Sequence, residues 1–295
     1  MRNIPFAGSG VALITPFKNG SVDFDKLGEL IDFHINNKTD AIIVCGTTGE
    51  AATMPDAEHL SVIEYTVKKA DGRIKVIAGT GSNDTAHGIE LSKKAEALGA
   101  DALLTVTPYY NKATQKGLVI HFNAIADAVH IPIILYSVKG RTGVNIAPQT
   151  LFELSKHPNI VAIKEASGDI GQVAEIAALC GDNLAIYSGD DNMTVPVMSL
   201  GGVGVISVIA NILPEETHDL TAKFLEGDIK GARELQLHML EIMGAMFYEV
   251  NPIPVKTAMN LLGFNVGDLR LPLCEMEEAN LNKLKKALTN YGFKL

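Results

Sequence analysis

Ile160-Val161-Ala162-Ile163-Lys164 is a short apolar run that closes on a lysine. A strand buried on both faces has this composition, because neither face of a central parallel strand meets water. Seven further runs are comparably short and are followed by turn signals, namely Val11–Thr15, Ala41–Cys45, Lys75–Ala78, Ala102–Val106, Ile131–Leu135, Leu184–Tyr187 and Val203–Val208. The sequence therefore predicts eight buried strands.

Stretches with helical periodicity separate most of these runs. Leu27, Leu30, Ile31 and His34 repeat at the spacing of one helix face, and a similar pattern ends at Gly99, a typical helix stop. Eight strand and helix units in roughly 220 residues match a (β/α)8 TIM barrel, whereas a doubly wound sheet more often has fewer strands. We therefore expect an α/β fold of the TIM-barrel type.

The pattern changes to helices alone after the eighth run. Three helical stretches follow, Glu215–Glu226, Ile229–Phe247 and Met276–Leu288. The prolines of residues 251–254 interrupt the pattern, and another helix is expected to begin near Val255. We predict a catalytic barrel over residues 1–226 and a C-terminal helical domain over residues 227–295.

Composition and net charge limit the kinds of molecule that the protein could bind. The chain carries 25 Lys and Arg against 34 Asp and Glu, and this net charge of -9 argues against nucleic acid or an anionic membrane as a partner. No apolar stretch approaches ~18 residues, and the N-terminus lacks a signal-peptide core, so we expect a cytoplasmic protein. The three cysteines are far apart and the histidines are scattered, without a metal-ligand spacing. A small-molecule partner and no metal are expected.

Lys164 lies where the active site of a barrel forms, at the C-terminal end of a strand. Burial there disfavours the ammonium form and lowers the pKa, which frees the amine to attack a carbonyl group and form a Schiff base. The alternative is an ordinary lysine at a strand end whose head group reaches solvent. The residues that follow the neighbouring strands help to distinguish these readings.

Other predicted strands also end in polar residues. The Gly46–Gly49 loop could present hydroxyl and amide donors to a carboxylate or phosphate, or form a plain turn. Tyr136 could exchange protons beside the lysine, although buried tyrosines are common. Arg141 could bind a carboxylate through two hydrogen bonds, or remain an exposed loop residue. The Gly201–Gly204 run resembles a phosphate site but is better explained by close packing at the barrel mouth.

Several motifs in register carry a specific resemblance. They are Gly46–Glu50, Thr107–Asn111, Tyr136 with Arg141–Gly143, Ile163–Gly168 and Asn251–Lys256. Together they resemble the dihydrodipicolinate synthase family over essentially the whole chain. The resemblance implies a pyruvate-dependent class I aldolase or lyase on a (β/α)8 barrel with a helical C-terminal domain, typically a tetramer.

The resemblance also implies catalytic roles. Lys164 would form the imine with pyruvate, and Tyr136 would shuttle protons during imine and enamine chemistry. Thr47 would assist it, together with the partner subunit's Tyr110 across a tight dimer. The resemblance implies no cofactor, since the covalent imine with pyruvate is itself the electron sink. A homotetramer, a dimer of tight dimers, is the expected assembly.

Substrate-binding roles follow from the same resemblance. Thr48 and the neighbouring backbone would hold the carboxylate of pyruvate, and the backbone of Gly189 and Ile206 would line its pocket. Arg141 would bind the carboxylate of the second substrate, aspartate 4-semialdehyde.

Two departures from the family pattern affect function. Ser137-Val138-Lys139 stands where members usually have Asn-Val-Pro, which predicts a less rigid loop and a differently charged carboxylate pocket. Members inhibited by lysine use a serine and a glutamate that fall here at Ala51 and His87, although Asn83 and Tyr109 match. Without that carboxylate, weak or absent inhibition by lysine is predicted.

Alternative functions are retained. An N-acetylneuraminate lyase or a 2-keto-3-deoxy sugar-acid aldolase would share the lysine and tyrosine, but Thr47-Thr48 with Tyr110 and Arg141–Gly143 favours the synthase of diaminopimelate and lysine biosynthesis. A catalytically silent barrel that binds a keto acid is an alternative from another class, motivated by the altered loop over residues 137–140.

Overall fold

The backbone closes into a parallel barrel. The computed structural model describes residues 3–295. Its strands within that range are β1 (Gly8–Ala12), β2 (Phe17–Lys18), β3 (Ser21–Val22), β4 (Ala41–Val44), β5 (Lys75–Gly79), β6 (Ala102–Val106), β7 (Ile133–Ser137), β8 (Ile160–Glu165), β9 (Ala185–Ser188) and β10 (Gly204–Ser207). All except the antiparallel pair β2 and β3 form the closed barrel, in the order β1-β10-β9-β8-β7-β6-β5-β4. The predicted fold class is confirmed.

Helices follow most barrel strands. They are α1 (Phe24–Asn36), α2 (Asp56–Ala70), α3 (Thr85–Ala97), α4 (Gln115–Ala126), α5 (Lys139–Thr142), α6 (Pro148–Leu154), α7 (Ile170–Cys180), α8 (Thr194–Ser199), α9 (Pro214–Leu225), α10 (Ile229–His238), α11 (Leu240–Ala245), α12 (Ile253–Leu261) and α13 (Glu278–Tyr291). Short 3₁₀ turns occupy Ala51–Thr53, Gly181–Asn183, Asp191–Met193 and Ile209–Asn211. Side chains such as Asp169 begin these helices by accepting otherwise unpaired N–H groups, here from Gly171 at 2.9 Å.

The barrel strands are buried on both faces because an apolar cluster packs against each face. Ile134, Ala162, Tyr187 and Ile206 belong to a cluster that fills the barrel interior. A larger cluster lies between the strands and the surrounding helices and continues into the C-terminal helices. Successive side chains of one strand point to opposite faces, so each strand contributes to both layers and reads as a continuous apolar run.

The C-terminal part is joined to the barrel by one buried and one partly exposed ion pair. The last barrel helix, α9, ends at Leu225, and α10 begins at Ile229. Lys256 of α12 donates to Glu50 Oε1 at 2.8 Å, and the guanidinium of Arg270 donates to Glu58 Oε1 at 2.7 Å. Within the described chain, no helix is long and apolar enough to cross a membrane. The first ion pair holds the helical part against the loop that ends at Glu50, and the second holds it against α2.

The first strand lies earlier than its apolar run. It is Gly8–Ala12, whereas Val11–Thr15 was predicted. Gly8 pairs with Gly204 of β10, and a Cβ on Gly10 would come within 2.7 Å of its neighbours. The glycines are buried in the sheet through their backbone alone, which a search for apolar side chains does not detect.

The fifth predicted strand is displaced in the opposite direction. It begins at Ile133 rather than Ile131 and extends past Leu135 to Ser137. The carbonyl oxygen of Pro132 accepts the N–H of Leu103 at 2.9 Å, but Pro132 has no N–H of its own to donate, so the strand begins after it. Tyr136 is therefore an internal residue of β7, not the residue that follows the strand.

Two further predictions are wrong in detail. The helix predicted over Ile229–Phe247 is two helices, α10 and α11, which meet at Met239, a buried residue with φ -82° and ψ -6°. The Gly201–Gly204 run precedes β10 and thus lies at the opposite end of the barrel from the mouth. Close packing is correct there, since a Cβ on Gly204 would lie 1.9 Å from the carbonyl oxygen of Gly8.

Candidate active site

Lys164 and Tyr136 lie side by side within the barrel. They are register partners on β8 and β7, and Tyr187 of β9 is the partner of Lys164 on the other side. Lys164 is only 5% exposed, and its Nζ lies 4.5 Å from the centre of the Tyr136 ring. The amine is enclosed in the barrel, which excludes the alternative of a lysine that extends into solvent.

Burial makes the amine of Lys164 unusually acidic. Loss of solvation lowers its pKa to about 8, although Asp191 and Asp190 nearby oppose the shift. At pH 7 about a tenth of such an amine is neutral, compared with less than about a thousandth for an ordinary lysine. A neutral amine beside a tyrosine is the arrangement that attack on a carbonyl group requires.

Tyr136 remains protonated at neutral pH. Burial raises its pKa to about 12, while Arg141 and the side chain of Thr47 act in the opposite direction. Its phenol can therefore donate a proton and accept it back. The side chain of Thr47 is hydrogen-bonded to the phenol, whereas its neighbour Thr48 is buried.

The Gly46–Glu50 loop is fixed by hydrogen bonds around Thr48. Thr15 Oγ1 donates to the carbonyl oxygen of Gly49 at 2.8 Å. Thr48 is buried, and its Oγ1 accepts a hydrogen bond from Asn251 Nδ2 at 2.9 Å. Glu50 ends the loop with φ 56°, and its carboxylate is held by Lys256. Hydrogen bonds and an ion pair thus hold the Gly46–Glu50 loop in a defined conformation, which a plain turn would lack.

Arg141 lies on the short helix α5, which follows the strand of Tyr136. Its Nη2 donates to the main-chain oxygen of Asn251 at 3.0 Å, and the residue as a whole is exposed. The N–H groups of Arg141 and Thr142 donate to Val138 at 3.0 and 3.1 Å, so this segment is a hydrogen-bonded turn even without the family's proline. The guanidinium retains donors for an anion at the mouth.

Gly189 and Ile206 occupy the adjacent strands. The N–H of Gly189 donates to the carbonyl oxygen of Glu165 at 2.6 Å, and a Cβ on Gly189 would lie 2.6 Å from Ala166. Ile206 is buried in the same interior cluster as Tyr136. Only glycine fits at residue 189, where the backbone that follows β9 lies close to the end of β8.

Tyr110 is the predicted site residue that the chain does not bring to Lys164. Its side chain is 90% exposed, on a loop where its own backbone has φ 70°. A non-glycine residue rarely adopts this conformation, and a tyrosine seldom presents its whole ring to water. Within a single chain, Tyr110 is therefore not part of the buried group formed by Lys164 and Tyr136.

Sequence reasoning assigned no role to two buried residues of the site. Asp191 accepts hydrogen bonds from the N–H groups of Val208 and Ile209 at 3.1 and 3.0 Å. Its charge partly opposes the lowering of the pKa of Lys164 by burial. Asn251 contacts Thr48 from more than 200 positions away along the chain. The acidic pair at residues 190–191, separated by one residue from the end of β9, was a usable signal for Asp191. Asn251 was noted only as part of the Asn251–Lys256 motif, and no local pattern indicates its contact with Thr48.

The fold and this site define a class of protein, a (β/α)8-barrel enzyme with a buried lysine amine at the mouth. Among residues 3–295, no group of three or more His, Cys, Asp or Glu side chains could hold a metal ion. The site combines the amine of Lys164, the phenol of Tyr136, the hydroxyl of Thr48 and the guanidinium of Arg141.

Comparisons with known proteins identify the family. A model of the dihydrodipicolinate synthetase family matches residues 5–291. A 4-hydroxy-tetrahydrodipicolinate synthase of Caldicellulosiruptor saccharolyticus is 65% identical over 291 residues, 98% of this chain and 98% of that protein. The crystal structure of dihydrodipicolinate synthase from Aquifex aeolicus shares 50% identity with a TM-score of 0.95, covering 97% of this chain and 98% of that one. The chloride-inhibited enzyme of Acinetobacter baumannii, complexed with pyruvate, shares 44% identity with a TM-score of 0.94, covering 97% and 99%. The chain belongs to the dihydrodipicolinate synthetase family.

Proposed function

We propose that the chain is a lyase with 4-hydroxy-tetrahydrodipicolinate synthase activity, condensing pyruvate with L-aspartate 4-semialdehyde in diaminopimelate and lysine biosynthesis. The observation that carries this proposal is the buried amine of Lys164, with a pKa of about 8, against the ring of Tyr136. Relatives such as that of Caldicellulosiruptor saccharolyticus, 65% identical to the chain, carry this activity in their name.

The first step is formation of an imine. Neutral Lys164 attacks the keto carbon of pyruvate, and the carbonyl oxygen leaves as water after Tyr136 transfers the protons that this requires. Thr48 and the adjacent backbone N–H groups bind the pyruvate carboxylate, and Gly189 and Ile206 line the pocket. The pyruvate imine itself supplies the electron sink, so the reaction needs no separate cofactor.

The second step joins the two substrates. Loss of a proton from the pyruvate methyl group gives an enamine, whose carbon attacks the aldehyde of the semialdehyde. Arg141 holds the carboxylate of that substrate through its free guanidinium donors. The amine of the semialdehyde then attacks the imine carbon, closes the ring and releases Lys164.

A second subunit completes the proposed site. The exposure of Tyr110 supports its insertion into a neighbouring protomer, where the partner subunit's Tyr110 would join Thr47 and Tyr136 in proton transfer. We propose a homotetramer built from two such tight dimers, located in the cytoplasm.

Trapping and turnover assays test the function. Purified protein is treated with pyruvate and borohydride, and the modified lysine is located by mass spectrometry. Turnover is then measured with aspartate 4-semialdehyde, N-acetylneuraminate and a 2-keto-3-deoxy sugar acid. An adduct on Lys164 and turnover of the semialdehyde are expected. Turnover of N-acetylneuraminate or the sugar acid alone would indicate another pyruvate lyase, and absence of an adduct would indicate a silent barrel.

Inhibition by lysine is expected to be weak or absent. His87 stands where a glutamate binds the effector in sensitive members, and its Nε2 lies 3.1 Å from both carboxylate oxygens of Asp56. The nearby carboxylate is thus already paired and offers little to an added ammonium group. Initial rates are measured against lysine concentration. Half-maximal inhibition at sub-millimolar lysine would contradict the prediction, and His87→Glu is the matched variant expected to increase sensitivity.

Lys139→Pro is expected to change the Michaelis constant for the semialdehyde by less than about threefold, as for an ordinary surface substitution. Lys139 is exposed at the first position of α5, where proline is well tolerated because the N–H there has no partner within the helix. The turn is already held by Val138. Steady-state kinetics with varied semialdehyde provide the measurement, and a marked fall in the constant would show that the native loop impairs binding.

A further inference from the structure

Asn251 is a buried amide between two proposed substrate-binding residues. Its Nδ2 donates to Thr48 Oγ1 at 2.9 Å, and its main-chain oxygen accepts from Arg141 Nη2 at 3.0 Å. Asn251 is 5% exposed, and among the described residues its Oδ1 has no hydrogen-bond partner. An unpaired buried acceptor is destabilising, so stability alone does not explain an amide at this position.

The bond from Asn251 determines where the Thr48 hydroxyl can donate. A hydroxyl has one hydrogen to donate and two lone pairs that accept. Because one lone pair of Thr48 Oγ1 accepts from Asn251, its hydrogen is directed elsewhere and is free for an anion. With the amide reversed, the hydroxyl would donate to Oδ1 and present lone pairs to a carboxylate. The orientation of this amide therefore decides whether Thr48 attracts or repels a carboxylate.

The segment that carries Asn251 is fixed against the loop that carries Thr48. Lys256, in the helix that follows Asn251, donates to Glu50 Oε1 at 2.8 Å, and Glu50 lies two residues after Thr48. The side chains of Lys256 and Glu50 are 1% and 0% exposed. Lys256 also donates to the carbonyl oxygen of Asp268 at 2.7 Å. Such rigid support keeps the amide and the hydroxyl in register, as a positioning contact requires.

We propose that Asn251 is a positioning residue for pyruvate, whose amide group fixes the Thr48 hydroxyl with its hydrogen toward the substrate carboxylate. This inference rests on the proposed function, in which Thr48 binds that carboxylate. The main-chain oxygen of Asn251 holds Arg141 separately, so a change of side chain leaves that contact in place.

Kinetics of two Asn251 variants test the inference. Asn251→Ala is expected to raise the Michaelis constant for pyruvate roughly tenfold, the effect of a lost hydrogen bond to a charged group. Asn251→Asp keeps the shape of the side chain, accepts the hydroxyl hydrogen and adds a negative charge, so a rise of roughly 100-fold is expected. The kcat at saturating pyruvate and the Michaelis constant for the semialdehyde should each change by less than about threefold.

A double-variant cycle shows whether Asn251 acts through Thr48. Thr48→Val removes the hydroxyl and retains the shape of the side chain. Adding Asn251→Ala to Thr48→Val is expected to change the Michaelis constant for pyruvate by less than about twofold, because the hydroxyl to be oriented is already absent. Multiplicative effects of the two substitutions would overturn the proposal.

Asn260, in the helix that follows Asn251, provides the matched control. Its Nδ2 donates to the carbonyl oxygen of Gly267 at 2.9 Å, and its Oδ1 accepts the N–H of Val266 at 2.8 Å. Asn260→Ala should lower the thermal midpoint and leave the Michaelis constant for pyruvate unchanged. An equal rise in both variants would mean that any loosened helix weakens binding, which would overturn the positioning role. Absence of a pyruvate adduct in the wild-type protein defeats the proposed function itself, whereas a normal adduct with unchanged constants in the Asn251 variants defeats only this inference.

Discussion

Lys164→Ala is expected to abolish borohydride trapping of pyruvate and to lower kcat/KM at least about a thousandfold, as removal of a covalent nucleophile does. Lys164→Arg should be equally inactive, because a guanidinium stays protonated and cannot attack a carbonyl group. Intact-mass and peptide mass spectrometry after reduction with borohydride provide the measurement. The loss should be one of chemistry, since the remaining site residues are unchanged.

Lys156 is the control for lysines that react without catalysis. It is exposed and ion-paired with Glu153 near the end of α6, and Lys156→Ala should retain full trapping. An adduct at wild-type yield in Lys164→Ala would contradict the assignment of the nucleophile. Far-UV circular dichroism of the variants separates a loss of fold from a loss of the amine.

The rate of trapping at low pyruvate is expected to rise about tenfold per pH unit up to about pH 8 and then level off. The direction follows from the lowered pKa of Lys164, about 8: below this value the reactive neutral form is the minor one and grows tenfold per unit. Stopped-time trapping across pH 6 to 10 measures it. A rise that continues toward pH 10 would show that the amine has an ordinary lysine pKa.

The fold could be predicted because its signal is local and repeated. Each buried parallel strand produces an apolar run such as Ile160–Lys164, and the count of eight selects a barrel. The predicted strand bounds are wrong where the backbone, rather than the side chains, determines the structure. Gly8 and Gly10 of β1 have no apolar side chain, and Pro132 looks apolar but has no N–H to donate at the start of β7.

The site could be predicted in part for the same reason. Residues at the end of a barrel strand lie at the mouth whatever their partners are, so Lys164 and the Gly46–Glu50 loop could be found from the strand pattern. Asn251 and Lys256 reach Thr48 and Glu50 from 203 and 206 positions away. Their contacts depend on how the C-terminal helices fold back on the barrel, which no spacing in a single sequence reports.

Lys256→Met is expected to reduce the free energy of unfolding by about 3–5 kcal/mol, because it leaves Glu50 as a buried carboxylate without its counter-charge. The side chains of Lys256 and Glu50 are 1% and 0% exposed, and the ammonium lies 4.5 Å from the centre of the Phe17 ring. Water cannot replace the lost partner at this position. Urea unfolding at a fixed protein concentration provides the measurement, since dissociation of an oligomer would otherwise shift the midpoint.

Two comparisons separate the loss of a charge partner from the loss of packing. Adding Glu50→Gln to Lys256→Met removes the unpaired charge, so the double variant should regain most of the stability while the shape of both side chains is kept. Lys68→Met breaks an exposed ion pair with Glu64, 72% and 44% exposed, and should cost less than about 1 kcal/mol. A double variant as unstable as Lys256→Met would show that hydrogen bonds of Lys256, such as that to Asp268, outweigh its charge. The pair would then act as a hydrogen-bonded clamp on the substrate loop, and its charge would be dispensable.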